Sequence, residues 1–217
     1  MKKISDKVIA RLTKYRSLLS EQFPREKKYV FSHELANLMR VTPSQVRRDL
    51  MVLGYQGVPR YWYEVDELVK HIGLVLDSDV IQNIALVGMG NLGRALLSFL
   101  EGRRSNLKIS ATFDSDTAKT DRLMNGVACY NMQQLDEVIK QLDIRVAIIC
   151  VPGGSAQSVA DRLIHAGVRG ILNFAPIPLR VPLGVYLEEM DVTGSLEKVA
   201  YFSTLNLKGE KGTNEKC

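Results

Sequence analysis

The sequence has few cysteines and histidines, and it lacks the long hydrophobic run of a membrane-spanning helix. No apolar run approaches the roughly 20 residues that cross a bilayer. Three cysteines are an odd number, and their spacing fits neither a zinc knuckle nor a disulfide framework. The basic N-terminal residues are not followed by an apolar core, so we expect no signal peptide. These features predict a cytoplasmic protein with no bound metal and no membrane contact.

Acidic residues are scarce in the first quarter of the chain. Residues 1–48 carry 12 Lys and Arg against 4 Asp and Glu, whereas the rest of the chain carries 17 against 20. A basic N-terminal region on a mildly acidic body indicates that this region meets a polyanion such as DNA. A basic helix face that is merely solvated would give the same asymmetry.

The pattern of hydrophobic residues changes near residue 80. Residues 1–80 have helical spacing followed by a short aromatic stretch, which predicts a winged helix-turn-helix domain. Residues 81–192 alternate apolar strands with helices, which predicts a Rossmann-type, doubly wound parallel sheet of the α/β class. Residues 193–207 are amphipathic and predict a last helix, and the polar residues 208–217 predict a disordered tail.

A strong helix start lies in "VTPSQVRRDLMVLG", residues 41–54. Thr42 is a capping residue, Pro43 suits the first helical position, and Gln45 lies three residues after the cap. With a short helix before it, the segment fits a helix-turn-helix whose buried positions are Ala36 and Val46. Arginine pairs with guanine edges or phosphates and glutamine with adenine. The predicted DNA-binding residues on this helix are Ser44, Gln45, Arg47 and Arg48.

A dinucleotide fingerprint follows the first strand after residue 80, in "GMGNLG". Gly88 allows a tight turn, Gly90 allows close approach of a pyrophosphate, and Gly93 allows helix and strand to pack closely. Asp114 ends the next strand, where a carboxylate binds the adenosine ribose and repels a 2′-phosphate, so NAD(H) is favoured over NADP(H). The predicted residues of this turn are Gly88, Met89, Gly90, Asn91, Leu92 and Gly93, together with Asp114.

Two further loops follow predicted strands and should lie at the same edge of the sheet. They are "VPGGS" at 151–155 and "NFAP" at 173–176, and each contains a proline that stiffens it. In a doubly wound sheet, ligands bind at the carboxyl ends of the strands. The residues predicted to line the nicotinamide side are Val151, Pro152, Asn173, Phe174, Ala175 and Pro176.

Taken in order, these motifs resemble the Rex family of redox-sensing bacterial transcriptional repressors over almost the whole chain. The matching segments are "RLTKYRSLL", "SHELANLMRVTPSQVRRDL", "ALVGMGNLGRAL", "FDSD", "VP", "GILNFAP" and the "MD" before the last helix. The resemblance implies a homodimer that represses genes of fermentation and respiration. It implies binding to palindromic operator DNA in the free or NAD⁺-bound form and release when NADH binds. It also implies a C-terminal helix that swaps between the two protomers.

The resemblance assigns further residues, and the chain departs from the family at two places. Arg16 and Asp191 match positions linked to a redox-dependent contact between the domains. The family wing has consecutive basic residues, whereas Arg60 is the only basic residue in "GVPRYWY" and is the wing residue predicted to bind DNA. Where the family often has a tyrosine, this chain has Phe99, which cannot hydrogen-bond to an Arg16–Asp191 pair.

Two other readings remain open from the sequence. An NAD-dependent oxidoreductase with a basic N-terminal appendage would need a general acid or base beside the nicotinamide. None of the three histidines, His33, His71 and His165, lies at the carboxyl end of a predicted strand, so we expect no catalytic residue and no enzyme. A CoA- or nucleotide-binding subunit would explain the glycine turn but not the two arginines of the predicted DNA-binding helix.

Overall fold

The chain forms two compact units, of which the first ends before residue 80 and the second begins at Val80. The computed structural model describes residues 4–24, 26–55, 62–77, 80–103 and 106–213. The predicted wing residue Arg60 lies outside the described residues.

The first unit is a small helical domain with a two-stranded ribbon. Its elements are α1 (Asp6–Ser17), which continues into a π-helical turn (Leu18–Gln22), then β1 (Tyr29–Phe31), α2 (Ser32–Met39), α3 (Pro43–Met51), β2 (Trp62–Glu64) and α4 (Val65–Leu76). The strands β1 and β2 pair antiparallel, with Val30 opposite Tyr63. This is the helix-turn-helix with a ribbon that the sequence predicts.

The turn between α2 and α3 sets the two helices of the motif against each other. α2 ends at Arg40, whose φ of 53° lies in the left-handed region that often terminates helices. α3 then begins after Thr42, whose hydroxyl oxygen accepts a hydrogen bond from the Gln45 amide. Ala36 and Val46 are buried in one hydrophobic cluster, as predicted.

The second unit is an α/β domain. Its elements are β3 (Gln82–Val87), α5 (Asn91–Leu100), β4 (Leu107–Asp114), β5 (Arg122–Met124), β6 (Val127–Asn131), a 3₁₀ turn (Met132–Gln134), α6 (Leu135–Gln141), β7 (Val146–Ile149), α7 (Gly153–Ala166), β8 (Gly170–Asn173), β9 (Tyr186–Glu189) and α8 (Val192–Thr213).

The sheet of the second unit has the order β5-β6-β4-β3-β7-β8-β9. Apart from β5, which pairs antiparallel with β6, all neighbours are parallel, and the parallel strands have the Rossmann order. The sequence did not predict the edge strands β5 and β9. Both are short and mostly exposed, so neither has an apolar pattern to mark it.

Alternate residues of the central strands are buried on opposite faces of the sheet. Ala85 and Val87 of β3 pack in one cluster with α6 and α7, whereas Ile84 and Leu86 pack in another with α5. A strand buried on both faces reads as a continuous apolar run, which is why the sequence predicts it well.

The last helix, α8, is longer than the sequence suggests. We predicted a helix over 193–207 and a disordered tail from 208, but the helix runs from Val192 to Thr213. The tail prediction is therefore wrong for 208–213, and residues 214–217 lie outside the described residues. A formed helix adds residues at little cost, and the lysines and glutamate of this stretch are good helix formers. Gly209 and Gly212 do not stop it.

Candidate functional site

A cavity of about 570 Å³ opens at the carboxyl ends of the central strands. Its lining includes eight of the residues that the sequence predicts for a dinucleotide. These are Gly88, Gly90, Leu92, Asp114, Val151, Pro152, Phe174 and Pro176. The four predicted segments, separated by up to about 90 residues of sequence, therefore meet in one place, as the parallel topology requires.

The glycine turn has no room for side chains at two of its three glycines. Gly88 has a φ of +98°, and a Cβ there would lie 2.7 Å from the Cys150 carbonyl oxygen. A Cβ on Gly93 would overlap the Gly88 carbonyl oxygen. Gly90 has nothing within 4 Å of the position of a Cβ, so its missing side chain leaves the start of α5 open to a ligand. The first turn of a helix offers amide N–H groups and a partial positive charge to an anion.

Asp114 ends β4 inside the cavity and is held by three donors. Its Oδ2 accepts hydrogen bonds from the Met89 amide at 2.8 Å and from Lys119 Nζ at 3.2 Å, and its Oδ1 accepts from the Asp116 amide at 2.9 Å. Burial raises the pKa of the Asp114 carboxyl, but these hydrogen bonds outweigh it and the pKa lies below its usual value. The side chain is therefore an ionised acceptor, which suits ribose hydroxyl groups.

Five predicted residues shape the cavity without lining it. Met89 is buried in the core and contributes its amide to Asp114, and the Asn91 Oδ1 accepts from Arg94. Asn173 fixes its loop, because its Oδ1 accepts from the Ala175 amide and its Nδ2 donates to the Ile177 carbonyl oxygen. The five residues are Met89, Asn91, Gly93, Asn173 and Ala175.

Several lining residues were not predicted from the sequence. They are Val87, Ser115, Asp116, Lys119, Met132, Cys150 and Ser155. A basic residue five positions after Asp114 was the one available signal, since the intervening turn brings Lys119 back to the carboxylate. Burial raises the pKa of the Cys150 thiol to about 11. The thiol is therefore protonated at neutral pH and contributes an uncharged surface.

The predicted DNA-binding residues lie on the first two turns of α3. Ser44 and Arg48 are exposed, and Arg47 is half-buried. Arg47 donates to the Ser32 hydroxyl at 3.1 Å and to the Ser44 hydroxyl at 3.3 Å. α3 therefore presents two guanidinium groups near its N-terminal turns.

Gln45 lies between this surface and a buried carboxylate that the sequence analysis missed. Asp49 is 1% exposed, and its Oδ1 accepts from Gln45 Nε2 at 2.8 Å. Arg11 of α1 donates to both Asp49 oxygens, at 2.6 and 2.7 Å, and the Tyr15 hydroxyl donates at 3.0 Å. Burial raises the pKa of Asp49, but the hydrogen bonds from Arg11, Gln45 and Tyr15 lower it more, so the carboxyl is ionised.

The three residues assigned to the switch have local partners in their own units. Arg16 forms an ion pair of 2.5 Å with Asp77. Asp191 caps α8, because its Oδ1 accepts from the Gly194 amide at 2.8 Å. Phe99 is 56% exposed, and the Arg103 guanidinium lies 3.8 Å from the centre of its ring.

Two features of the described residues bear on other kinds of site. Among them, no helix is long and apolar enough to cross a membrane. The cavity lining, as far as the structure describes it, includes no histidine.

Comparisons with protein families match each unit separately. Residues 3–50 match the family described as "Putative DNA-binding protein N-terminus", and residues 79–177 match the family described as "CoA binding domain". These matches agree with the predicted fold class, in which a DNA-binding module precedes a Rossmann-like domain.

Similar proteins span nearly the whole chain. The redox-sensing transcriptional repressor Rex of Leuconostoc citreum (strain KM20) is 40% identical over 173 residues, which is 80% of each chain. That of Limosilactobacillus reuteri (strain DSM 20016) is 38% identical over 201 residues, or 93% of this chain and 94% of the relative.

Solved structures give the same result. The crystal structure of RSP, a Rex-family repressor, is 33% identical and superposes with a TM-score of 0.88 over 97% of this chain and 100% of that one. RSP in complex with β-NAD⁺ and operator DNA superposes with a TM-score of 0.86 at 32% identity, over the full length of both chains. RSP in complex with β-NADH superposes with a TM-score of 0.85 at 32% identity, over 97% of this chain and 99% of that one. Fold, sequence and length thus agree: the chain belongs to the Rex family of redox-sensing transcriptional repressors, and not to a family of enzymes.

Proposed function

We propose that this protein is a homodimeric repressor that binds palindromic operator DNA and releases it when NADH binds. In this way it couples the NADH/NAD⁺ ratio to the expression of fermentation and respiration genes. The observation that carries the proposal is the likeness over the full chain to RSP, which has been solved with NADH and with NAD⁺ and operator DNA. A DNA-binding repressor of this kind acts in the cytoplasm.

The glycine turn and Asp114 hold the adenosine and pyrophosphate half of the dinucleotide. The amides at the start of α5 bind the pyrophosphate, and the missing side chain of Gly90 leaves room for it beside the backbone. Asp114 accepts hydrogen bonds from the ribose hydroxyl groups, and its negative charge repels a 2′-phosphate. The site is therefore one for NAD(H).

The nicotinamide half meets a largely apolar surface, which favours the reduced form. Val151, Pro152, Phe174 and Pro176 line this side of the cavity, and the protonated Cys150 thiol adds no charge. The oxidised ring carries a positive charge and the reduced ring is neutral. Because an apolar surface disfavours an unpaired charge, these residues bind NADH more tightly than NAD⁺.

α3 supplies the DNA contacts. Arg47 and Arg48 pair with phosphates or guanine edges, Ser44 donates to the backbone, and Gln45 reads a base. Arg60, which lies outside the described residues, is a further residue that we assign to DNA binding from the sequence. In a dimer, two such helices read half-sites about one helical turn apart or a multiple of it.

α8 forms the dimer. Its side chains Leu196, Val199 and Phe202 are each 60% exposed or more, which is unusual for a helix of a monomer. A second copy of the chain covers this apolar surface. Arg16, Phe99 and Asp191 are the residues that we assign to the redox-dependent switch, and Phe99 lacks the hydroxyl group of the tyrosine that the family often has.

The switch requires that NADH favour a domain arrangement that DNA does not bind, because only a differential affinity shifts an equilibrium. A mobility-shift titration tests this with a palindromic duplex selected by the protein. NADH should release the duplex, and NAD⁺ at equal concentration should not. Unchanged binding on addition of NADH would overturn the sensing function, and turnover of NADH with a small carbonyl would instead support an oxidoreductase.

A further inference from the structure

We propose that Asp49 is a positioning residue that makes Gln45 selective for adenine. It does so by fixing which end of the glutamine amide faces the DNA. The inference rests on the proposed function, since it requires α3 to lie on operator DNA. Neither the sequence pattern nor the family likeness points to it, because Asp49 is buried and cannot touch a base.

The hydrogen bonds of Asp49 are complete. Each carboxylate oxygen accepts two donors: Oδ1 from Arg11 Nη2 and Gln45 Nε2, and Oδ2 from Arg11 Nε and the Tyr15 hydroxyl. Four donors use the four lone-pair positions of an ionised carboxylate. The group is also 1% exposed, so water does not compete for these positions.

This arrangement fixes the orientation of the Gln45 amide. An ionised carboxylate only accepts hydrogen bonds, so Gln45 must turn its NH₂ group toward Asp49 and its carbonyl oxygen away. The backbone beneath it is fixed as well, because the Gln45 amide N–H donates to the Thr42 hydroxyl in the first turn of α3. The side chain is partly exposed. It therefore offers outward one carbonyl oxygen and one remaining N–H.

One acceptor beside one donor matches a single base in the major groove. Adenine presents a donor at N6 and an acceptor at N7, and both are satisfied by the outward groups of Gln45. Guanine presents acceptors at both O6 and N7, so the outward carbonyl oxygen of Gln45 would face another acceptor. A glutamine that is free to turn its NH₂ group outward could donate to both guanine atoms. Asp49 removes that option, and adenine is preferred over guanine for this reason.

The test replaces the buried polar group with apolar residues while Gln45 stays in place. The triple variant R11M/Y15F/D49L removes the ion pair and the tyrosine hydroxyl together. Replacement of a complete buried ion pair by apolar residues is usually tolerated, whereas removal of one partner leaves the other charge buried and unpaired. Unchanged Trp62 fluorescence, from β2 of the same unit, would verify that this variant folds. Q45A is a second variant that does not depend on repacking the core.

The readout is base preference, which a merely structural role would not change. Full-length protein selects duplexes from a library with a randomised core, and binding to single-base variants of the selected duplex is then measured. The wild type should prefer adenine over guanine by about tenfold at one position of each half-site. Q45A and the triple variant should each reduce this ratio to about twofold or less, and Q45A should have no further effect in the triple variant. K27M, which breaks a different ion pair of the same unit, should keep the wild-type ratio.

Each other result contradicts a different statement. If Q45A keeps the wild-type preference at every position, Gln45 does not read a base. If Q45A loses the preference and the triple variant keeps it, Asp49 does not position Gln45. A wild-type protein that selects no duplex at all would overturn the proposed function itself, and with it this inference.

Discussion

Gly93 packs directly against the Gly88 carbonyl oxygen, so that a Cβ on Gly93 would overlap this oxygen. Gly90, between them, has nothing within 4 Å of a Cβ and a φ of −73° that any residue adopts. The two positions therefore separate folding from binding. G93A should destabilise the second unit and abolish NADH binding, whereas G90A should fold normally and lose NADH binding. Thermal unfolding and NADH fluorescence titration measure the two effects, and an unstable G90A would contradict the assignment of Gly90 to the ligand.

Asp114 should determine both affinity and nucleotide choice. Hydrogen bonds to charged groups contribute about 1.5–3 kcal/mol, so D114A should weaken NADH binding by roughly 10- to 100-fold. NADPH should lose less affinity, because the variant no longer repels its 2′-phosphate. Calorimetric titration with both nucleotides checks this, with operator binding in the absence of nucleotide as the control that should not change. Equal losses for NADH and NADPH would mean that Asp114 does not face the 2′ position.

Arg47 should contribute to DNA binding alone. R47A should weaken operator binding by about 1–3 kcal/mol and leave NADH binding unchanged. If the guanidinium binds a phosphate, the slope of log affinity against log salt should also fall by about one. Lys70 of α4 is a matched control, since it is an exposed cation of the same unit outside α3. The assignment fails if K70A weakens operator binding as much as R47A does.

Asp49 should make the stability of the first unit depend on acid pH. The pKa of Asp49 in the folded state lies below its unfolded value of about 3.9. The contribution of the ionised Asp49 to the free energy of unfolding is therefore complete above about pH 3.9 and is lost as the pH falls through the folded-state pKa. D49N leaves Arg11 without its carboxylate and should cost about 3–5 kcal/mol at pH 7. The difference from wild type should shrink below about pH 4.

Urea unfolding followed by Trp62 fluorescence measures this difference, since Trp62 is the one tryptophan of the sequence and lies in β2. E67Q is the control, because Glu67 is 43% exposed and its pairing with Lys70 should contribute less than about 1 kcal/mol. A cost of D49N that stays constant as the pH is lowered from 7 until the wild-type unit itself unfolds would exclude the charge as its cause.

The exposed apolar side chains of α8 should hold the dimer together. The double variant V199D/F202D places two charges on this surface and should be monomeric in sedimentation velocity at concentrations where the wild type is a dimer. Operator affinity should fall with it, because a monomer binds one half-site. K198A alters the same helix without removing an apolar side chain and should remain a dimer. A monomeric wild type would contradict the proposed assembly.

The sequence was most informative at positions where backbone geometry or charge allows only one or a few residue types. Glycines at Gly88 and Gly93, the cap at Thr42 and the acid at Asp114 each have a role that backbone geometry or charge dictates, and the structure brings them to the expected places. The alternation of near-continuous apolar strands with helices identified the parallel sheet, because strands that are buried on both faces are apolar throughout.

Long-range polar contacts were not predictable. Asp49 looked like one more charge on a helix, because its partner Arg11 is 38 residues away and nothing local marks the pair. Cys150 likewise enters the cavity through the topology of the sheet and not through a motif. The end of α8 was mispredicted because the polar composition of this stretch does not exclude a helix.

Trp62 is an intrinsic fluorescent probe of this protein. The single indole lies in the ribbon of the first unit, with its ring centre 4.2 Å from that of Tyr29 and tilted against it by 59°, whereas the dinucleotide cavity belongs to the second unit. Tryptophan emission overlaps the absorption of reduced nicotinamide, so energy passes from this indole to bound NADH with an efficiency set by their separation. The rearrangement of domains that we propose for the switch can therefore be tested in the unlabelled protein, with and without operator DNA.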